Sequence, residues 1–323
     1  RLFEVTGVQT CALPISKSFD IKIWKRLGPY LRPRRRAFVL LIVLNLLTAL
    51  VDAALPLFQR YAVAHFIEAG TLSGLWPFAI AYFAAILMQS LSVMGFGNVS
   101  MGIEMYLGRD LRRRLFTHLQ ELSFSFYNVT PVGYLISRVM NDTNRIAGML
   151  AWNLADMLWA LCYLIFVFIS MLLLNWKLAI VVILVVPVVA LLTAYFQNRI
   201  LHWNRRVRKL SSRITGAFNE GIMGAKTSKT LVIEGANDKE FEDLTGQARD
   251  SGVKAEKLSA VYIPLVLFCS TLAVAIVLYQ GGHMSLDGVL GLSTLSAFVT
   301  YAVGIFEPVQ ILAEDLAVFI SLQ

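Results

Sequence analysis

Six uninterrupted apolar stretches constrain the fold of this chain more than any other feature: residues 37–58, 75–96, 157–174, 178–196, 258–282 and 288–306. A helix rising 1.5 Å per residue needs about 20 apolar residues to cross roughly 30 Å of hydrocarbon, and each stretch is near that length. Only the first carries a charge, Asp52. An Asp at a helix centre costs about 3 kcal/mol and each Leu, Ile, Phe or Val returns about 0.3–0.6, so an off-centre Asp52 is tolerated. Hydrophobic residues make up 57% of the 323 and charged residues only 15%, against roughly 45–50% and 25% in soluble proteins. A soluble enzyme, a disordered chain and a conventional nucleic-acid binder are thereby excluded, leaving an all-α integral membrane protein.

The segments between the spans alternate in length: 59–74, 175–177 and 283–287 are short, whereas 97–156 and 197–257 are long. Of the 29 Lys and Arg, 27 lie before the first span or in the two long linkers, and the short linkers hold only Arg60 and Lys177. By the positive-inside rule the N-terminus and both long linkers are cytoplasmic. The net charge of +8 is therefore a topology signal, its basic faces meeting anionic lipid rather than nucleic acid. Before the first span, Phe19, Ile23, Leu27 and Leu31 recur every four residues among basic ones, which suits an interfacial helix over residues 17–36.

Both long linkers keep helical periodicity. Residues 98–126 extend the second span, Pro131 and Gly133 mark a reversal, and helix resumes from Tyr134 toward the third span. Residues 197–218 likewise extend the fourth span, two glycines interrupt 219–225, and 226–257 return as one charged helix. The expected architecture is thus six transmembrane helices with two long cytoplasmic helical hairpins.

Three cysteines, Cys11, Cys162 and Cys269, are too scattered for a disulfide framework. The histidines His65, His118, His202 and His283 lack a second ligand at metal spacing, so neither a metal nor a catalytic site is expected. No GxxxxGK[ST] pattern is present, the nearest stretch, 221–227, having the wrong spacing and no strand-to-helix context. Among polar groups, Asp52 and Gln89 are candidates for a substrate cavity wall, with Phe298, Tyr301 and Phe306 as aromatic lining. Asp156, Glu307, Glu314 and Asp315 fall near the cytoplasmic boundary, where hydration lowers the cost of a charge.

The segment Phe126-Tyr-Asn-Val-Thr-Pro-Val-Gly-Tyr-Leu-Ile-Ser-Arg138, followed by Asn141 and Asp142, resembles the first intracellular loop of ATP-binding-cassette exporters. Asn175-Trp-Lys177, Asn219-Glu220 with Gly224, and Phe306-Glu-Pro308 fit the same family, and the similarity covers essentially residues 19–323. The resemblance implies a six-helix exporter transmembrane domain over 37–323. Its hairpin tips would be coupling helices: Asn128, Val129, Thr130, Pro131, Val132, Gly133 and Tyr134 in the first, and Asn219, Glu220, Gly221, Ile222, Met223, Gly224 and Ala225 in the second. It further implies as partners a nucleotide-binding domain, expected beyond residue 323 and carrying the ATP and Mg, and a second half-transporter forming a homo- or heterodimer. The site would be a bacterial plasma membrane and the cargo an amphiphilic drug, lipid or peptide. The alternative is a six-span channel or secondary carrier subunit, although neither a pore motif nor midplane charges are visible. Residues 5–15, VTGVQTCALPI, read like a translated sequencing adapter, so 1–16 are set apart from the fold and both ends are expected to be arbitrary.

Overall fold

The computed structural model describes residues 28–322. The adapter-like segment and residues 17–27 of the interfacial helix lie outside the described residues. A single turn, α1 (Gly28–Leu31), and a 3₁₀ turn (Arg32–Arg34) lead into α2 (Arg35–Ala62), which continues as a π-helical stretch, Val63–Glu68. Then follow α3 (Leu75–Glu121), α4 (Phe124–Val129), α5 (Val132–Ser137), α6 (Thr143–Gly148) and α7 (Leu154–Leu174). The remainder comprises α8 (Trp176–Met223), α9 (Ala225–Leu231), α10 (Glu234–Leu286), α11 (Leu292–Gly304) and α12 (Phe306–Leu322). Six helical stretches are long and apolar enough to cross a membrane, and no strand occurs among the described residues.

The extended lengths follow from the sequence pattern. With 48 residues in α8, the helix is about 72 Å long, more than twice the hydrocarbon thickness. The fourth and fifth spans therefore continue well past a bilayer as one hairpin. The connections at the opposite ends of the spans are short for local reasons. Asn175 alone separates α7 from α8; it is extended (φ −161°, ψ 108°), and its side chain accepts the N–H groups of Lys177 and Leu178 at 3.1 and 3.2 Å, a helix N-cap.

Several boundaries differ from the hydropathy estimate. The last two spans were expected to meet across 283–287, but α10 continues to Leu286 and the link is 287–291, because the reversal is placed by Gly288 at φ +73°. The first span runs on to Glu68, and its link contains Gly70 and Gly74, both at positive φ. The final span divides at Ile305, where Pro308 has no N–H to offer the carbonyl of Gly304.

The chain groups into two units. One holds residues up to 52, 78–162 and 315 onward. Here α3 and the returning helical limb of the first hairpin run antiparallel: Leu107 packs with Ala147 and Leu150, and the Phe96 ring meets Trp152 edge-on at 5.8 Å. Leu41, Ile103, Ala151 and Ala155 form a second cluster, which Asn45 reinforces by donating to the Ala155 carbonyl at 3.0 Å. Arg34 lays its guanidinium 3.4 Å above the Tyr106 ring centre, tying the entry of the first span to α3.

The other unit holds residues 53–77 and 163–314. Its spine is the α8–α10 pair. The Tyr262 hydroxyl donates to Thr193 at 3.3 Å, Lys254 lies 4.7 Å over the Trp203 ring, and Phe218 faces Phe241 at 6.5 Å. One residue number rises as its partner's falls, so the pair is antiparallel along its whole length. Gly281 marks the tightest crossing in this unit: a Cβ there would lie 2.4 Å from Leu295 Cδ1 and 3.5 Å from Leu178 Cδ1.

Candidate functional site: hairpin tips and intramembrane polar groups

Two hairpin tips carry the motif residues. At the first, Ser123 is extended and ends the run of α3, and the six-residue α4 turns the chain. Pro131 cannot continue that helix, and it pushes Thr130 out of the helical region to φ −108°, ψ 117°. The stretch 128–134 therefore straddles the end of α4, an extended Thr130-Pro131 pair and the start of α5. Phe124 at the head of α4 is 91% exposed, whereas Tyr127 folds back and donates to the Leu119 carbonyl. Behind the tip, Arg138 pairs with Asp142 one turn on and lies 4.8 Å over the Tyr134 ring.

At the second tip, α8 ends at Gly224 (φ −90°, ψ 4°), whose N–H bonds to the Glu220 carbonyl at 2.7 Å. A Cβ at Gly224 would approach that same oxygen at 2.9 Å. The stretch 219–225 is thus the last turn of α8 and the first residue of α9. Periodicity suggested one returning helix over 226–257; instead α9 stops at Val232, which adopts φ +54°, ψ 43°, and α10 begins at Glu234. Neither Gly nor Pro marks that stop, so no local signal revealed α9 as a separate short helix. Between these helices opens a cavity of about 1040 Å³, lined by Phe218, Ile222 and Phe241 together with Glu220, Lys229, Glu234 and Asp238.

The candidate cavity residues fall into both units. In the first, Asp52 accepts from Gln89 Nε2 and, at 3.0 Å, from Trp159 Nε1. A carboxylate in the first span is thereby joined to the second and third spans through neutral donors, a low-cost way to keep a polar group in a membrane. In the second unit, Phe298 and Tyr301 are fully buried and Phe306 nearly so. Tyr301 donates to the Ala53 carbonyl at 2.7 Å. Elsewhere, Asn153 donates to Asp315 at 2.7 Å, and Glu314 accepts from Gln197 at 3.1 Å and from Gln310 at 2.8 Å.

One polar group went unnoticed in the sequence. Gln59 accepts from the Thr300 hydroxyl and donates to Ser296, both at 3.0 Å. Arg60 donates to the Thr294 hydroxyl at 3.1 Å. Glu68 accepts the Ser293 N–H at 2.7 Å and its hydroxyl at 3.3 Å, capping α11. The only available signal was the recurrence of Ser293, Thr294, Ser296 and Thr300 on a helical spacing within an otherwise apolar span.

Six spans, two extended hairpins with broken tips and a short capped turn between spans three and four define a multi-pass membrane protein. Residues 38–309 match the model of the ABC transporter transmembrane region, and the chain belongs to that family. It is 25% identical over 297 residues to Bacillus subtilis YgaD, whose name provisionally assigns it to multidrug export as an ATP-binding/permease protein; the match covers 89% of this chain and 51% of that protein. It is also 25% identical over 303 residues to the ATP-dependent lipid A-core flippase of Syntrophus aciditrophicus, covering 89% of this chain and 48% of the relative. The chain thus spans about half the length of the curated relatives it matches.

Proposed function

We propose that this chain forms the substrate pathway of an ATP-driven exporter. A nucleotide-binding domain of the same polypeptide would bind ATP and Mg, and a second half-transporter would complete a homo- or heterodimer. Closure of the two nucleotide-binding domains around ATP moves the hairpin tips. Helices such as α8 and α10, continuous from tip to membrane, transmit that movement as levers, and the pathway exchanges inward for outward access. Net export requires different substrate affinity in the two states. The observation that carries this reading is the match across 272 residues to an ABC transporter transmembrane region, combined with two helical hairpins that end in interrupted tips.

The coupling surfaces are 128–134 with α4, and 219–225 with α9. Both tips present exposed apolar side chains to a partner, including Phe124 at the first and Ile222, Met223 and Leu231 at the second. The cargo is an amphiphile such as a drug, lipid or peptide, with Asp52, Gln89, Phe298, Tyr301 and Phe306 as pathway residues. The membrane is a bacterial plasma membrane, with the N-terminus and tips in the cytoplasm. Family membership supports this reading over the channel or carrier alternative.

The test is ATP-dependent uptake of a fluorescent amphiphile into inside-out vesicles containing the chain joined to its nucleotide-binding domain. Uptake is expected, and Phe124→Asp or Met223→Asp is expected to reduce it at least tenfold while ATP binding persists. ATP hydrolysis and uptake unaffected by both substitutions would sink the coupling assignment.

A further inference from the structure

Arginines crowd the entry to the first span with no carboxylate to balance them. No acidic residue occurs between Asp20 and Asp52. Among the described residues, none of Arg34, Arg35 and Arg36 takes part in an ion pair. Arg34 lies over Tyr106 of α3, and the acidic residues flanking that tyrosine are engaged: Glu104 accepts Trp152 Nε1 at 2.8 Å, and Asp110 pairs with Arg109 at 2.8 Å. The three arginines, with Pro33 and Ala37, line a cavity of about 420 Å³. Guanidinium groups hold phosphate oxygens through paired, charge-assisted hydrogen bonds, so a phosphate is the anion that this lining suits.

The rest of the helix decides whose phosphate it is. Val39, Val43, Leu46 and Leu50 recur every three or four residues on one face of α2 and are 42–59% exposed. The opposite face is taken up by Leu41 and Asn45, which pack against α3 and the returning limb of the first hairpin. At about 100° per residue, Arg35 and Arg36 stand on either side of the head of the exposed stripe. The stripe covers about 16 Å of helix, close to half of the roughly 30 Å hydrocarbon core and hence one leaflet deep. A free phosphate would use the arginines alone, whereas a phospholipid uses the arginines and the stripe together.

We propose that Arg35 and Arg36 hold the phosphate of an anionic phospholipid in the cytoplasmic leaflet, with one acyl chain lying along Val39, Val43, Leu46 and Leu50. Uncompensated guanidinium groups favour a headgroup of net negative charge over a zwitterionic one, whose ammonium they repel. Arg34, stacked on Tyr106, faces α3 and holds this turn in place, so the bound lipid braces the junction of the first two spans. The site rests on the positive-inside orientation for its leaflet and is independent of the exporter reading.

The test needs no nucleotide. In a chain carrying Cys11→Ser, Cys162→Ser and Cys269→Ser, Val43→Cys is labelled with bimane and reconstituted in phosphatidylcholine vesicles. Brominated phosphatidylglycerol should quench the label at a mole fraction roughly tenfold below that needed with brominated phosphatidylcholine. A label at Leu184→Cys, 70% exposed in the other unit, should show no such preference. Arg35→Gln with Arg36→Gln should abolish the preference at Val43. Either substitution alone should reduce it about threefold, which keeps the assignment testable should the pair fail to fold. A preference below twofold at Val43, or one that survives the Gln substitutions, overturns the site. A preference erased by inorganic phosphate, but not by chloride at equal ionic strength, assigns the arginines to a free anion and overturns the lipid. Absence of quenching by both lipids, with Val43→Cys forming a disulfide between two copies, gives the stripe to a second chain and overturns it too.

Discussion

Val232 shows how a single residue can bear strain at a tip. Its φ of +54° lies in the left-handed region, which costs a residue with a Cβ roughly 1–2 kcal/mol, more when β-branched. At 82% exposure its side chain offers little packing in return. Val232→Gly is expected to slow amide hydrogen exchange in α9, because the strained termination becomes an unstrained one. Gly281 is the opposite case, since added bulk has nowhere to go. Gly281→Ala drives a methyl into Leu295 at a site already closed by Leu178 and Leu290, and it should lower the stability of the detergent-solubilised chain by about 1–3 kcal/mol in thermal unfolding. At Asp52 the issue is polarity rather than space. Asp52→Leu removes the acceptor shared by Gln89 and Trp159 and should destabilise by about 1–3 kcal/mol, with Asp52→Asn intermediate because its amide retains one acceptor oxygen.

Helices here are stopped by particular chemistry, and the stops differ in how visible they are. Asn175 is visible: a side-chain oxygen satisfies two N–H groups at the head of a 48-residue helix. Asn175→Ala should cost about 1 kcal/mol and Asn175→Asp almost nothing, a contrast that thermal unfolding can resolve. Pro131 is equally visible, and the break expected there is the one observed. The stop at Val232 is not, because it arises where α9 must fold back for α10 to lie against α8. Gln59 and Ser296 are individually unremarkable polar residues 237 positions apart, and their pairing becomes evident only when the first and last spans are side by side.

For the whole molecule, the decisive prediction concerns sidedness. Single cysteines at Thr130 and Ser228 should react with an impermeant thiol reagent only in inside-out vesicles, and a cysteine at Lys177 only in intact cells. The reverse pattern would contradict the charge-based orientation. The sequence alone determined the number of spans and their approximate limits, since transfer of a side chain into hydrocarbon is nearly additive along the chain and requires no knowledge of neighbours; helical periodicity outlined the two long hairpins, and the motif residues of 126–142 carried the family resemblance. Tertiary structure alone decided which polar groups meet, where α9 ends and which aromatic candidates are enclosed. Those outcomes depend on close packing between residues hundreds of positions apart, and their energies exist only once the helices have been brought together.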